Sequence, residues 1–387
     1  MTMEQEFKTK KGWKIFGYTF CVIIILITLY FLTDAILSNN NVWLWIGINL
    51  FSLLLFGYCL AGIYRGKMVL TGDSIIEYGV FRNKKLMFDE IKGFRIQAPK
   101  IILEPIDKKK PRMVVGDFNY ITNGPGLSEF LTTKFKDLDE ADYNAELTEV
   151  LHDTRIGTDV EDRQQRLDKV KKVSRILDVG GLIVTFWLFI YPHPYLLSLI
   201  VGLLYPLAAM IYFFGQQEVL TLMNVDKKSA YPSLNSALIF PPAALIVRAL
   251  IQYDLLYIKD CIFPIVLSSM AFTLIFILFI RGPKIKSNNF WMGVIFSVIY
   301  SSGGIVIVNC AFDGSKPAEY KTRVIDQYVT RGKSTTYYLK LDTWGPRKES
   351  EDESVPKSVY NQVKKGDKVT VYVKKGYLNI PWYFVDN

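Results

Sequence analysis

VGGLIVTFWLFIYPHPYLLSLIVGLLYPLAAMIYFF, residues Val179–Phe214, decides how this chain is read. It is a run of Leu, Ile, Val and Phe broken only by Pro192-His193-Pro194, and the same character recurs twice more before Phe312. Spanning the ~30 Å core of a bilayer takes roughly 20 apolar residues in a helix, so Ile176–Phe312 reads as a membrane bundle. The third span ends at Tyr191, where the two prolines force a turn. The fourth covers Tyr195–Phe214, a weaker fifth Leu234–Tyr253, the sixth Ile262–Ile280 and the seventh Phe290–Phe312.

Two apolar runs come earlier. Phe16–Leu37 follows Lys8, Lys10, Lys11 and Lys14. It is too long for a signal-peptide core and lacks a small-residue cleavage site, so it reads as a retained helix. After the polar turn Ser38–Asn41, Val42–Tyr64 returns the chain to its starting side, and Arg65 and Lys67 follow at once.

Composition agrees. Half of the 387 residues are apolar, and the formal charge of +9 is concentrated at span ends, where Lys and Arg set orientation. No recognition motif points to nucleic acid. There is no Cys-x-x-Cys pair, and His152 and His193 lie far apart, so no metal or cofactor is expected. Nucleophile-elbow, phosphate-loop, zinc-protease and dinucleotide patterns are absent.

Between the helices the rhythm changes. Ser74–Tyr78, Lys84–Met87, Gly93–Gln97, Lys100–Pro105 and Met113–Val115 are strand-length pieces divided by turn residues, and Leu127–Phe135 reads as a closing helix. LTGDSIIEYGVFRNKKLMFDEIKGFRI (Leu70–Ile96) resembles the bacterial pleckstrin-homology-like domains of membrane-anchored proteins. Gly72, Asp73, Tyr78, Gly79, Arg82, Lys84, Asp89 and Ile91 carry the likeness, which covers Arg65–Lys136. It implies a small curved β domain beside a bacterial inner membrane, and no catalytic residue. Asp137–Arg175 is a charged connector in which Thr158 and Glu161 have capping-box spacing, at the start of a helix that runs on into the third span. Beyond Lys316, alternation over Thr335–Trp344 and Val369–Lys374 reads as a small antiparallel barrel of four to six strands. The expected organisation is therefore a multi-span α-helical membrane protein of about seven helices. It has an N-terminal hairpin (1–64), a pleckstrin-like β domain (65–136), a connector (137–175), a bundle (176–312) and a C-terminal β module (313–387).

Few residues suggest chemistry. Lys108, Lys109, Lys110 and Arg112 form the densest basic loop, which can meet anionic headgroups at about 1 kcal/mol per close charge. Arg248 is an intramembrane charge, a functional candidate by default. It lies near its span's end, beside a Pro241-Pro242 break. Glu349, Glu351, Asp352 and Glu353 read as a solvated hairpin tip. Gly180-Gly181 and Ser301-Ser302-Gly303-Gly304 allow close helix approach. Cys261 and Cys310 fall at one depth and are expected to form a disulfide at the oxidising face; the alternative is that all four cysteines are apolar fillers. These features fit a non-enzymatic anchor or scaffold for unknown protein partners. The alternative is a small transporter or channel built on the Pro241-Pro242/Arg248 helix.

Counting seven spans puts the N-terminus, Arg65, Lys67, Lys227, Lys228, Arg281, Lys284 and Lys286 on one side and only Lys259 opposite. The positive-inside rule makes the first side cytoplasmic. A reporter fused after Asn387 that works only outside the cytoplasm is expected to be active; activity of a cytoplasm-only reporter there would refute this orientation.

Overall fold

The computed structural model describes residues 4–38, 41–97, 100–116, 120–224, 228–280, 288–331 and 335–386. Lys227, Arg281, Lys284 and Lys286, used above for orientation, lie outside them. Seven helices are long and apolar enough to cross a membrane, and the chain reads as a multi-pass membrane protein. It divides into two compact units, the first reaching Glu146 and the second beginning at Leu147.

The first unit starts with a strand. β1 (Gln5–Lys8) precedes α1 (Lys11–Ser38) and α2 (Val42–Arg65), and β2 (Lys67–Leu70) follows them. β1 and β2 pair antiparallel, with Lys8 opposite Lys67 and Gln5 opposite Leu70. The α1–α2 hairpin is thus an insertion between two neighbouring strands, and the β domain does not begin at Arg65 as its local pattern suggests. The physical reason is that an antiparallel helix pair brings its two ends together, which leaves the flanking segments free to form a ladder.

β3 (Ser74–Tyr78) and β4 (Asn83–Met87) complete a four-stranded sheet. β5 (Ile91–Gln97), β6 (Lys100–Pro105) and β7 (Met113–Val115) form a three-stranded one, and α3 (Gly124–Lys134) follows. Phe7, Leu70, Ile75, Leu86, Ile101, Leu103, Met113, Leu127 and Leu131 share one core, so Phe7 packs with residues that lie beyond the hairpin in the chain. α4 (Leu138–His152) is fastened at its start by Arg95, which bonds Asp139 (2.9 Å), Asp142 (2.6 Å) and Glu104 (3.1 Å). Along the hairpin, Asn49 Nδ2 donates to Thr28 O at 2.8 Å. Such a bond holds helices together where apolar contact gives no preference over lipid.

The second unit carries α5 (Val160–Ile190), α6 (Tyr195–Gln216), α7 (Asn235–Gln252), α8 (Lys259–Phe279) and α9 (Asn288–Ala311). With 31 residues, α5 is about 46 Å long at 1.5 Å per residue. It therefore exceeds a bilayer core, and its polar first turns stand outside the apolar stretch. Its cap sits one residue later than the sequence suggests: Asp159 accepts from Asp162 N (2.8 Å), while Asp162 accepts from Thr158 N (3.0 Å). α7 lies between α5 and α9 at backbone distance. A Cβ on Gly181 would sit 2.6 Å from Ala237 Cα, and one on Gly303 would sit 2.8 Å from Ile246 N. The small-residue clusters read from the sequence thus serve close packing.

Beyond the bundle, β9 (Ala318–Arg331), β10 (Thr335–Leu341), β11 (Glu351–Val355), α10 (Lys357–Gln362), β12 (Lys368–Lys374) and β13 (Trp382–Asp386) build the module. β9 pairs with β12 along its first half and with β10 along its second. The antiparallel order is β11-β10-β9-β12-β13-β8, where β8 (Asp254–Leu255) comes from the loop between α7 and α8. The sheet is a curled half-barrel rather than a closed barrel. Its end strand comes from the bundle, so the module does not begin cleanly at residue 313.

Because Lys8 and Lys67 are a terminal ladder pair, replacing residues 9–66 by Asn-Gly should close β1 onto β2 through a type I′ turn. That chain, carried through Glu146, is expected to be soluble and to melt cooperatively. A fragment starting at Arg65 lacks Phe7 and exposes β2 as an edge; it should lose about 3 kcal/mol or more and associate. Melting followed by circular dichroism, with size-exclusion chromatography, checks both.

Candidate functional site

Only two residues separate β1 from α1, and one separates α2 from β2. The Lys8/Lys67 end of the four-stranded sheet therefore abuts the helical hairpin. Glu6 bridges Lys67 (2.8 Å) and Lys8 there, and the hydrogen bonds from Lys67 and then Lys8 hold its carboxyl down to about 2. The β3–β4 turn leaves this same end of the sheet, because Tyr78 pairs with both Lys67 and Asn83. Its tip leans on α2: Arg65 Nη1 donates to Val80 O at 2.9 Å, and Phe81 stacks on Tyr58 at 5.7 Å. Tyr58 lies seven residues inside the end of α2, about 10 Å along the axis. Phe81, 85% exposed, therefore stands alongside the apolar helix. Trp13 meets Tyr120 at 4.2 Å, and Lys10 N donates to Tyr120 O at 2.7 Å. Lys8, Lys10, Lys11, Lys14, Arg65, Lys67 and Arg82 ring these aromatic residues in sequence.

The basic loop singled out from sequence lies elsewhere. Lys110 pairs with Glu90 at 2.6 Å and Arg112 with Glu104 at 3.3 Å. Glu90 follows Met87, which ends β4 opposite Ser74. Met87 is therefore at the end of the sheet away from the helices, a strand length of about 13 Å from Asn83. Lys110, Arg112 and Glu104, with Lys92, Lys108 and Ile106, line a concavity of about 460 Å³. Two of the four basic side chains are already matched by carboxylates.

Arg248 is also committed. Its Nη2 donates to Phe189 O at 3.0 Å and its Nε to Leu188 O. The last carbonyls of a helix have no partner within it, and a cation there also complements the helix dipole. An anchoring charge that pairs two helices fits this geometry. α7 runs unbroken through Pro241 and Pro242, both buried, so the expected break is not there.

Cys261 and Cys310 are free thiols, as are Cys21 and Cys59. The expected bridge is replaced by separate contacts: Cys261 Sγ donates to Ile258 O (2.9 Å), and Cys310 Sγ accepts from Asn309 Nδ2 (3.5 Å). Among the described residues, no group of three or more His, Cys, Asp or Glu is placed to hold a metal ion.

What fastens the root of the module is a polar joint. Asn309 Nδ2 donates to Ile380 O (2.8 Å), and its Oδ1 accepts from Leu378 N (3.0 Å) and Ile380 N (3.3 Å). Asp313 Oδ2 accepts from Gly376 N and Trp382 Nε1, both at 2.9 Å. Burial pushes the Asp313 carboxyl upward, but these donors together with Ser315 outweigh it and hold the group below its ordinary value. Gly376 has φ +78, and a side chain there would strike Ile380 O and Asn309. Sequence reading missed Asn309 and Phe81, and took the buried Glu353 for a solvated residue. An Asn late in an apolar helix, an aromatic at a β-turn tip and a carboxylate in phase with Val355 were the available signals.

No family model, curated protein or solved structure matches this chain.

If Asn309 is the joint, Asn309→Ala should cost about 3 kcal/mol, roughly 1 kcal/mol for each of three lost hydrogen bonds. It should also speed proteolytic release of the module in detergent. Arg248→Gln should cost less, on the order of 1 kcal/mol. A thermal unfolding series compares the two, and equal effects would contradict the assignment.

Proposed function

We propose that the protein is a non-enzymatic adaptor of a bacterial inner membrane, built to hold two interaction modules at fixed height on a helical anchor. The observation that carries this reading is the insertion of the α1–α2 hairpin between paired strands, with Phe81 stacked on Tyr58. A domain tethered by a flexible linker would sample many heights; one tethered through a ladder has little freedom. Antiparallel strands followed by α3 accord with the small curved β domain that the pleckstrin-like resemblance implies, and they support it further.

In this reading Phe81 and Trp13 sit in the interfacial layer favoured by aromatic rings. The surrounding Lys and Arg meet anionic headgroups at about 1 kcal/mol each. The concavity at Lys92, Lys108 and Arg112 faces away from the lipid and is left for an acidic protein partner. The positive-inside count places this domain in the cytoplasm and the C-terminal module outside. Transport draws no support from α7, whose prolines are packed and whose arginine caps α5.

A photo-crosslinking amino acid tests the orientation in intact cells. Introduced in place of Phe81, it is expected to capture lipid; in place of Lys109, it is expected to capture protein. Protein at 81 and lipid at 109 would reverse the domain and sink the reading.

A further inference from the structure

The end of α7 and the module sheet enclose a cleft of about 660 Å³. It is independent of the β domain on which the proposed function rests. Glu353 is one of its walls. Expected to be solvated, this residue instead points into the module, opposite Leu339, and is only 6% exposed. Alternation along β11 explains why: Glu353 and Val355 face inward, whereas Asp352 and Ser354 face outward.

The Glu353 carboxyl is half satisfied. Oε2 accepts from Tyr383 Oη at 2.7 Å, whereas Oε1 is buried with no hydrogen-bond partner among the described residues. Among the described residues no cation lies within ion-pair distance of it, and Arg347 pairs with Glu351 instead. A buried carboxylate without a counter-charge is costly. Burial first, and then Asp254 and Glu351, push the Glu353 carboxyl above its ordinary value, outweighing the Tyr383 hydrogen bond and the charge of Arg347, which lies beyond ion-pair distance.

The rest of the lining says which counter-charge fits. Asp254, Asp386 and Ser358 face the cleft, no Lys or Arg lines it among the described residues, and Tyr253, Trp382 and Phe384 supply aromatic wall. Trp382 already holds a cation, Lys374 Nζ, 5.3 Å from its ring, and aromatic faces attract ammonium groups. The carboxylates do not converge as a metal site would require, and a cavity of this size exceeds what a bare ion needs. A larger cation with an apolar body matches both the spread of the carboxylates and the rings.

We propose that this cleft binds an organic ammonium ion, its charge held by Glu353 and Asp254 and its alkyl body lying against Tyr253 and Trp382. The ion is either a free amine or the ammonium headgroup of a bilayer lipid, because exposed Ile251 at the end of α7 borders the cleft.

The test uses the full chain in maltoside detergent, titrated calorimetrically with 1,4-diaminobutane. Saturable binding is expected, weakened about tenfold or more by Glu353→Gln, which keeps an acceptor for Tyr383, and also by Asp254→Asn at the cleft rim. An excess of Mg²⁺ should not displace the diamine. Repeating the titration in nanodiscs separates the sources: competition by phosphatidylethanolamine but not phosphatidylglycerol assigns the site to a lipid headgroup, and no competition by either assigns it to a free amine. Three results would overturn the proposal. They are no saturable diamine binding, binding undiminished in whichever variants fold, and displacement by excess Mg²⁺. None of them bears on where Phe81 or Lys109 sits.

Discussion

The ladder between β1 and β2 fixes where the α1–α2 hairpin starts and stops, and the rest of the first unit follows from it. Lys8 and Lys67 are partners, so the two helices must bring their polar ends to one place. A helix pair crossing a bilayer twice does this, since an even number of crossings returns the chain to its starting side. The core then closes over Phe7, which belongs to the sheet even though more than fifty residues of helix separate it from β2 in the chain. The same ladder leaves the β3–β4 turn no route except along α2, which accounts for the exposed Phe81.

The second unit answers the same problem with side chains. Its helices present apolar faces, and what gives them register is small residues and a few polar bonds. Gly181 and Gly303 bring α5 and α9 against α7, and Arg248 closes the end of α5. Asn309 and Asp313 then hold the module through donors and acceptors on the Gly376–Trp382 segment. A hydrogen bond in this setting is geometrically specific in a way that apolar contact is not. Both units therefore join helix to sheet without a free linker, the first through the β1–β2 ladder and the second through β8 at the sheet edge together with an Asn and an Asp.

Charge distribution separates positions that the sequence presents as similar. Lys110 and Arg112 look like the strongest anionic-lipid candidates by density, yet each has a carboxylate partner, Glu90 and Glu104. Lys10, Lys14 and Arg65 are less conspicuous but adjoin the apolar helices directly. Glu353 shows the opposite case: within an acidic run that looks solvated, strand phase turns one carboxylate inward and leaves an oxygen unmatched.

Local pattern by itself determined the apolar helices and much of the strand layout. Ser74–Tyr78, Lys100–Pro105 and Met113–Val115 keep the bounds their alternation suggests, because hydrophobic period is a property of neighbouring residues. It also determined that Gly180-Gly181 and Ser301–Gly304 serve packing, since small side chains have few other uses in an apolar helix. Only tertiary structure decided what depends on partners distant in the chain. β1 is four residues long, and β8 two; neither carries enough period to be seen, and each becomes a strand only because an edge is waiting for it. The free state of Cys261 and Cys310, the capping role of Arg248 and the inward turn of Glu353 likewise depend on which backbone lies across from them. That is set by packing, for which one-dimensional pattern holds no record.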